Sequence, residues 1–101
     1  MSLAKIKDWE LNTKANAEFV KKSFDTQQLK IGTTGGVVTV TGKVDFTGSK
    51  VDASSDAEVI NALKNVDRMI KTINGVKDVK YFLSNWVKSG GNWGRKAKEA
   101  K

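Results

Sequence analysis

The stretch Gly35–Phe46, GGVVTVTGKVDF, decides the fold. From Val38 onward its apolar residues recur at every second position, which predicts a strand over Val37–Phe46 with one apolar and one polar face. Such a strand suits a sheet that is covered on a single side. Gly35-Gly36 is a turn signal, and Gln28–Ile31 is predicted to be the partner strand of a hairpin through Gly32–Gly35. The apolar face comprises Val38, Val40, Gly42, Val44 and Phe46.

Two helices are predicted around this hairpin. Ser55-Asp56-Ala57-Glu58 is a capping box, and it begins a helix over Asp56–Ile73 whose apolar residues recur in steps of three and four. Asn74-Gly75 is a left-handed stop. The segment Asp8–Ser23 has the composition of a second helix, and its buried face is left open between two sets. These are Ala17, Val20 and Phe24, or Leu11, Ala15 and Phe19.

A last strand is predicted over Val76–Val87. Alternation turns one set of its side chains toward the helices: Val79, Tyr81, Leu83 and Val87. The other set faces outward: Asp78, Lys80, Phe82, Ser84 and Trp86. The order helix, strand, strand, helix, strand predicts an α+β fold. We expect a small mixed or antiparallel three-stranded sheet with two helices packed on one face.

Two segments carry a resemblance to a known family. Gly35–Val44 resembles the core strand of the BON family, named for bacterial osmotic-shock and nodulation proteins, and Ile73–Leu83 resembles the family's closing helix end and strand. The resemblance spans roughly residues 16–87, so we expect a BON-like domain over residues 1–87 followed by a flexible basic tail over residues 88–101. Its structural glycines are Gly36, Gly42 and Gly75.

The resemblance implies a binding module without catalytic residues. Members of the family attach to phospholipid membranes or to surface ligands, often in the bacterial envelope and in osmotic stress. An alternative within the same fold is a cytoplasmic potassium-sensing module of the kind that accompanies a LysM domain. Trp86–Gly90 resembles the opening of a LysM repeat, although Gly91-Asn92 replaces the Asp-Thr that should follow. The connection Thr47–Ser54 is longer than the family's usual link, which leaves loop functions open.

Composition excludes several kinds of chemistry. The 101 residues contain no Cys and no His, so disulfides, a thiolate nucleophile and a histidine base are ruled out. Because no carboxylate pair, nucleophile–base pair or metal cluster is visible either, we expect no enzyme, no cofactor and no metal. The acids around the long loop lack the spacing of a calcium loop, and we expect them to act as caps and turn formers. They are Asp45, Asp52 and Asp56.

Charge and aromatic residues supply the candidate binding site. The net charge is +7, and more than half of it lies from Trp86 onward, either as a solvated tail or as a tether to an anionic surface. The lipid- or ligand-binding candidates are Lys80, Phe82, Trp86, Trp93, Arg95, Lys96 and Lys98. Expected partners are an anionic phospholipid, an envelope component, or a protein on the outer sheet face. Nucleic acid is the alternative, bound weakly and without sequence preference.

The longest apolar runs are pairs and triples such as Tyr81-Phe82-Leu83. We therefore expect neither a transmembrane helix nor a signal peptide in this sequence. As written the chain is expected to be cytoplasmic, or periplasmic if a signal has been removed.

Overall fold

The computed structural model of the protein describes residues 7–96. Its elements are α1 Asp8–Lys21, β1 Leu29–Thr34, β2 Val37–Gly42, α2 Asp56–Lys71, β3 Asp78–Leu83, β4 Trp86–Ser89 and β5 Asn92–Arg95. Strands β1, β2 and β3 form one sheet in that order, with β1–β2 antiparallel and β2–β3 parallel. Strands β4 and β5 form a second, two-stranded antiparallel sheet. The predicted α+β fold with a mixed three-stranded sheet is confirmed, and the second sheet is additional.

Both helices contribute to a core on one face of the larger sheet. Val38 and Val40 of β2 are fully buried there, as the alternation in the sequence predicts. Helix α1 contacts β1 and α2, and α2 contacts β3 and β5. Of the two candidate faces of α1, the structure buries Leu11, Ala15 and Phe19. The buried face of α2 comprises Val59, Ala62, Leu63, Val66 and Ile70.

The start of α2 has half of the predicted capping box. The hydroxyl of Ser55 accepts a hydrogen bond from the amide of Glu58 at 3.3 Å. The carboxylate of Glu58 accepts from the amide of Asp52 at 3.0 Å and not from the amide of Ser55, as a capping box would have it. The helix therefore begins where the sequence predicts and also holds the end of the preceding loop. It ends at Lys71, two residues before the predicted end.

The first hairpin turns at Gly35 and Gly36, whereas the sequence predicted a loop through Gly32–Gly35. Both glycines have positive φ, 58° and 83°, which is the pattern of a two-residue type I′ turn. Strand β1 therefore continues to Thr34. The carboxylate of Asp8, at the start of α1, accepts from the amides of Gly35 at 2.9 Å and Gly36 at 3.2 Å. A Cβ at Gly36 would lie 2.8 Å from the carbonyl oxygen of Gly75, so two of the predicted structural glycines meet.

Gly42 is required for a different reason from the one predicted. The alternation from Val38 to Phe46 predicts Gly42 in mid-strand on the apolar face, where a covering helix could approach closely. In the structure it is the last residue of β2, with a φ of 112°, and a Cβ there would collide with the backbone carbonyl of Gln28 just before β1. The close approach is therefore made by the neighbouring chain segment, and only glycine adopts this φ without strain.

The predicted last strand is broken. Strand β3 ends at Leu83, and Ser84-Asn85 lead into β4. The side-chain amide of Asn85 accepts a hydrogen bond from the Val44 amide and donates one to the Val44 carbonyl, each at 2.9 Å. These two bonds hold the break next to Val44, two residues after the end of β2. Because the alternation shifts at the break, Trp86 turns inward and Val87 outward, the reverse of the prediction.

The segment after Val87, predicted to be a flexible tail, continues as a β-hairpin as far as Arg95. Its turn is Gly90-Gly91, with φ values of 57° and 85°. Trp86 pairs with Arg95 and Lys88 pairs with Trp93 across the two strands. The hairpin packs on α2 and completes the core. Residues 97–101, the remainder of the predicted tail, lie outside the described residues.

Candidate functional site

Two of the predicted binding residues, Lys80 and Phe82, lie on the outer sheet face, which is the face of the three-stranded sheet opposite the helices. In the strand register Lys30, Thr41 and Phe82 are neighbours in one row across the sheet. Lys80 follows in the next row, opposite Thr39. Phe82 lies near the end of the edge strand β3 and is 64% exposed, a high value for an aromatic side chain on a sheet face. The predicted outward orientation of Lys80 and Phe82 agrees with the structure.

A groove extends from Phe82 to the second hairpin. Its volume is about 520 Å³, and its lining includes Phe82, Val87, Lys88 and Lys96. Val87 is 46% exposed, so the groove presents two apolar side chains to solvent. We call the surface formed by Lys30, Lys80, Phe82, Val87 and Lys96 the Phe82 patch. Val87 and Lys30 were missed in the sequence, Val87 because of the strand break and Lys30 because its row was unknown.

Trp86 reaches the lining of the groove and Trp93 does not, but neither presents an exposed indole to the Phe82 patch, which corrects the prediction. They are 2% and 7% exposed and form part of the core. The guanidinium of Arg95 lies 4.7 Å from the ring centroid of Trp86, and the ring of Tyr81 packs edge-on against Trp93 at 4.8 Å. These indoles are covered by neighbouring side chains, so neither can insert into a membrane or stack on a base in this structure.

The remaining candidates divide three ways. Arg95 pairs with the carboxylate of Asp56 and donates to the carbonyl of Ala53 at 3.0 Å, so it ties the hairpin to the start of α2. The ammonium of Lys96 donates to the carbonyl of Leu83 at 3.4 Å and lines the groove. Lys98 lies outside the described residues.

A polar network that the sequence did not reveal joins α2 to β3 and the second hairpin. The carboxylate of Asp67 accepts from the Tyr81 hydroxyl at 2.6 Å and pairs with the ammonium groups of Lys71 at 3.1 Å and Lys88 at 3.3 Å. Lys88 also lies 6.0 Å from the ring centroid of Trp93. We call the set Asp67, Lys71, Tyr81 and Lys88 the Asp67 network.

The network shifts the protonation equilibria of its members. Burial pushes the pKa of Asp67 upward, but hydrogen bonds from Tyr81 and Lys71 and the charge on Lys88 outweigh it and hold that pKa below its usual value. Burial and the hydrogen bond to Asp67 raise the pKa of Tyr81. The hydrogen bond to Asp67 likewise raises the pKa of Lys71. At neutral pH the carboxylate is therefore ionised and its charge is compensated inside the network.

The acids around the long loop are used locally. Asp52 accepts from the amide and the hydroxyl of Ser54, and these bonds lower its pKa. Asp45 accepts from the amide of Phe46, and Asp56 pairs with Arg95. Over residues 7–96, no group of three acidic, His or Cys side chains is placed to hold a metal ion.

Within that same range, neither helix combines the length and apolarity that crossing a bilayer requires. The chain matches no family model, no curated protein and no solved structure in comparisons with them. The resemblance to the BON family therefore stays a prediction from the sequence.

Proposed function

We propose that the protein is a non-enzymatic binding module that attaches to an anionic phospholipid surface through the Phe82 patch. The observation that carries this proposal is the exposure of Phe82, 64%, on the sheet face that the helices leave uncovered. The BON resemblance agrees with it. The site differs from the one predicted from sequence, because Lys80, Phe82 and Lys96 remain in it whereas Trp86 and Trp93 leave it.

The patch combines the two contributions that peripheral attachment needs. Phe82 and Val87 supply apolar area that can enter the headgroup region, worth roughly 1–2 kcal/mol each when fully buried. Lys30, Lys80 and Lys96 supply charge, at about 1 kcal/mol for each basic residue near an anionic surface. Neither contribution alone gives stable attachment, so we expect binding to depend on both and to weaken as salt screens the charges.

Sedimentation with vesicles tests the apolar part. We expect the protein to sediment with vesicles of phosphatidylglycerol at low salt and to remain in solution with phosphatidylcholine. The double variant Phe82→Ser, Val87→Ser is expected to lose most of this binding. Trp9→Ser is the matched control, because Trp9 is 66% exposed on α1, away from the patch. Equal losses in the two variants, or no binding of the intact protein, would contradict the proposal.

A charge pair tests the electrostatic part. Lys30→Gln with Lys80→Gln removes two positive charges from the patch, and Lys14→Gln with Lys50→Gln removes two exposed charges elsewhere. We expect the first pair to weaken vesicle binding several-fold more than the second. If the two pairs behave alike, net charge and not this patch directs the attachment.

A further inference from the structure

A second surface, on α2, carries a row of cations. Lys64, Arg68 and Lys71 are exposed and follow one another at intervals of four and three residues, so they lie on one stripe of the helix. The stripe is about 10 Å long, given a rise of about 1.5 Å per residue. Among the ion pairs of residues 7–96, Lys64 and Arg68 take part in none.

The second hairpin turns this stripe into a groove. Lys88, Gly91 and Trp93 form the facing wall, and the enclosed volume is about 480 Å³. Asp67 is the single acid in the lining, and its carboxylate is already engaged by Tyr81, Lys71 and Lys88. We call this site the α2 groove. Four cations and one compensated acid give it a net positive charge.

We propose that the α2 groove binds the phosphate backbone of nucleic acid. A row of three cations about 10 Å long can face about two or three successive phosphates of one strand of a duplex. The lining contains no exposed large apolar side chain that could enter a bilayer. The groove therefore suits a repeating anion better than a membrane.

The burial of the Trp93 indole limits the contacts that the groove can make with nucleic acid. Trp93 is 7% exposed, Tyr81 packs against it edge-on, and the Lys88 ammonium lies 6.0 Å from its ring centroid. Because the indole is not free to stack on a base, the groove offers cations to the phosphates and no stacking platform to the bases. The α2 groove accordingly binds without sequence preference and does not require an unpaired strand.

Fluorescence anisotropy with a labelled random-sequence DNA duplex of about 20 base pairs tests this inference. We expect binding at low salt whose logarithm falls linearly with the logarithm of salt concentration. Lys64→Gln with Arg68→Gln is expected to reduce that slope by about 2, or one for each lost phosphate contact. The control Lys14→Gln with Lys50→Gln has the same net charge and is expected to leave the slope nearly unchanged.

Three outcomes would overturn the proposal. The intact protein could fail to bind the duplex at low salt, or the control pair could reduce the slope as much as the groove pair, which would indicate net charge alone. The groove pair could instead abolish binding to phosphatidylglycerol vesicles and leave duplex binding intact, which would make the groove a lipid site. The Phe82 variants should bind the duplex normally, so failure of this proposal is distinguishable from failure of the proposed membrane function.

Discussion

The molecule contains two hairpins that have the same kind of turn but are stabilised by different contacts. Gly35-Gly36 and Gly90-Gly91 have nearly identical φ values. The first hairpin joins the six-residue strands β1 and β2, which belong to the three-stranded sheet. The residues that this sheet contributes to the core are aliphatic. The second joins four-residue strands and buries Trp86 and Trp93.

The difference lies in what stabilises each hairpin. An isolated two-stranded hairpin is marginally stable in water, so the second one depends on the elements it contacts. Arg95 and Lys88 lie beside the buried indoles and pair with Asp56 and Asp67 of α2. Basic residues, which in the sequence indicate a solvated tail, here attach a strand pair to a helix.

The largest effect is expected from a substitution that removes an indole from the second hairpin. Trp86→Ala should lower the free energy of unfolding by about 3–5 kcal/mol, because it leaves a large cavity in the core. Urea denaturation followed by circular dichroism measures the change. The exposed Trp9 is the control, and Trp9→Ala should stay within about 0.5 kcal/mol of the parent. A loss at Trp86 as small as this would show that the hairpin is not part of the core.

The two turns differ at their second glycine, and alanine there should separate them. Gly36→Ala adds a Cβ that meets the Gly75 carbonyl, whereas the space around Gly91 is open. Both substitutions carry the cost of positive φ, about 1–2 kcal/mol. Gly36→Ala should cost a further 1–3 kcal/mol or so from the collision. Equal losses, measured by chemical denaturation, would mean that the first turn can move away from Gly75.

The Asp67 network holds the second hairpin and has no counterpart at the first. Asp67→Asn removes charge-assisted hydrogen bonds and should cost about 1–2 kcal/mol at pH 7. Because the pKa of Asp67 is lowered on folding, its contribution is present above the unfolded value of about 3.9 and is lost as pH falls through the folded value. The difference in stability between the parent and the variant should therefore narrow as the pH falls below the folded pKa of Asp67.

Denaturation of both proteins at neutral and acid pH measures this narrowing. Glu18→Gln is the control, because the Glu18 side chain is about as little exposed as that of Asp67 but has one ion pair, with the exposed Lys21; it should have a smaller effect than Asp67→Asn at neutral pH. A difference between the parent and Asp67→Asn that persists unchanged in acid would show that the carboxylate charge plays no part.

The smallest expected effect concerns the exposed anchors of the two hairpins. Asp8→Ala releases the first turn from α1, and Arg95→Gln releases the second hairpin from Asp56. Each should cost about 1 kcal/mol, because Arg95 and Asp56 are open to solvent and Asp8 is partly exposed. The loss at Arg95 should shrink in high salt, since it is mainly a pair of charges. A loss at either anchor comparable to that of Trp86→Ala would reverse the order proposed here.

The larger sheet and both helices could be predicted because their signals are local. The alternation through Val38 and Val40 and the capping box at Ser55 depend on neighbours in the chain. The break at Ser84-Asn85 could not be predicted, since it depends on a contact between Asn85 and Val44, about 40 residues apart. This one break reversed the orientations of Trp86 and Val87.

The candidate site was predictable to the same extent. Lys80 and Phe82 lie on an uninterrupted strand, so alternation placed them correctly. Lys64, Arg68 and Lys71 lie between the apolar residues of α2, where a surface helix normally has polar residues, and nothing local indicates that a hairpin faces them. These cations are spaced four and three residues apart, and that spacing is the one signal in the sequence that could have identified them as a row.

The parallel pairing of β2 with β3 also has a kinetic consequence. Each hairpin joins neighbours in the chain and can close in microseconds, whereas Val38 and Val79 become partners only after a loop of about 40 residues has closed. The folding rate is then governed by the search that brings β3 alongside β2. The turn at Gly36 lies against Gly75, just before β3 begins. The first hairpin, which forms early, therefore provides the surface on which β3 docks in the slow step.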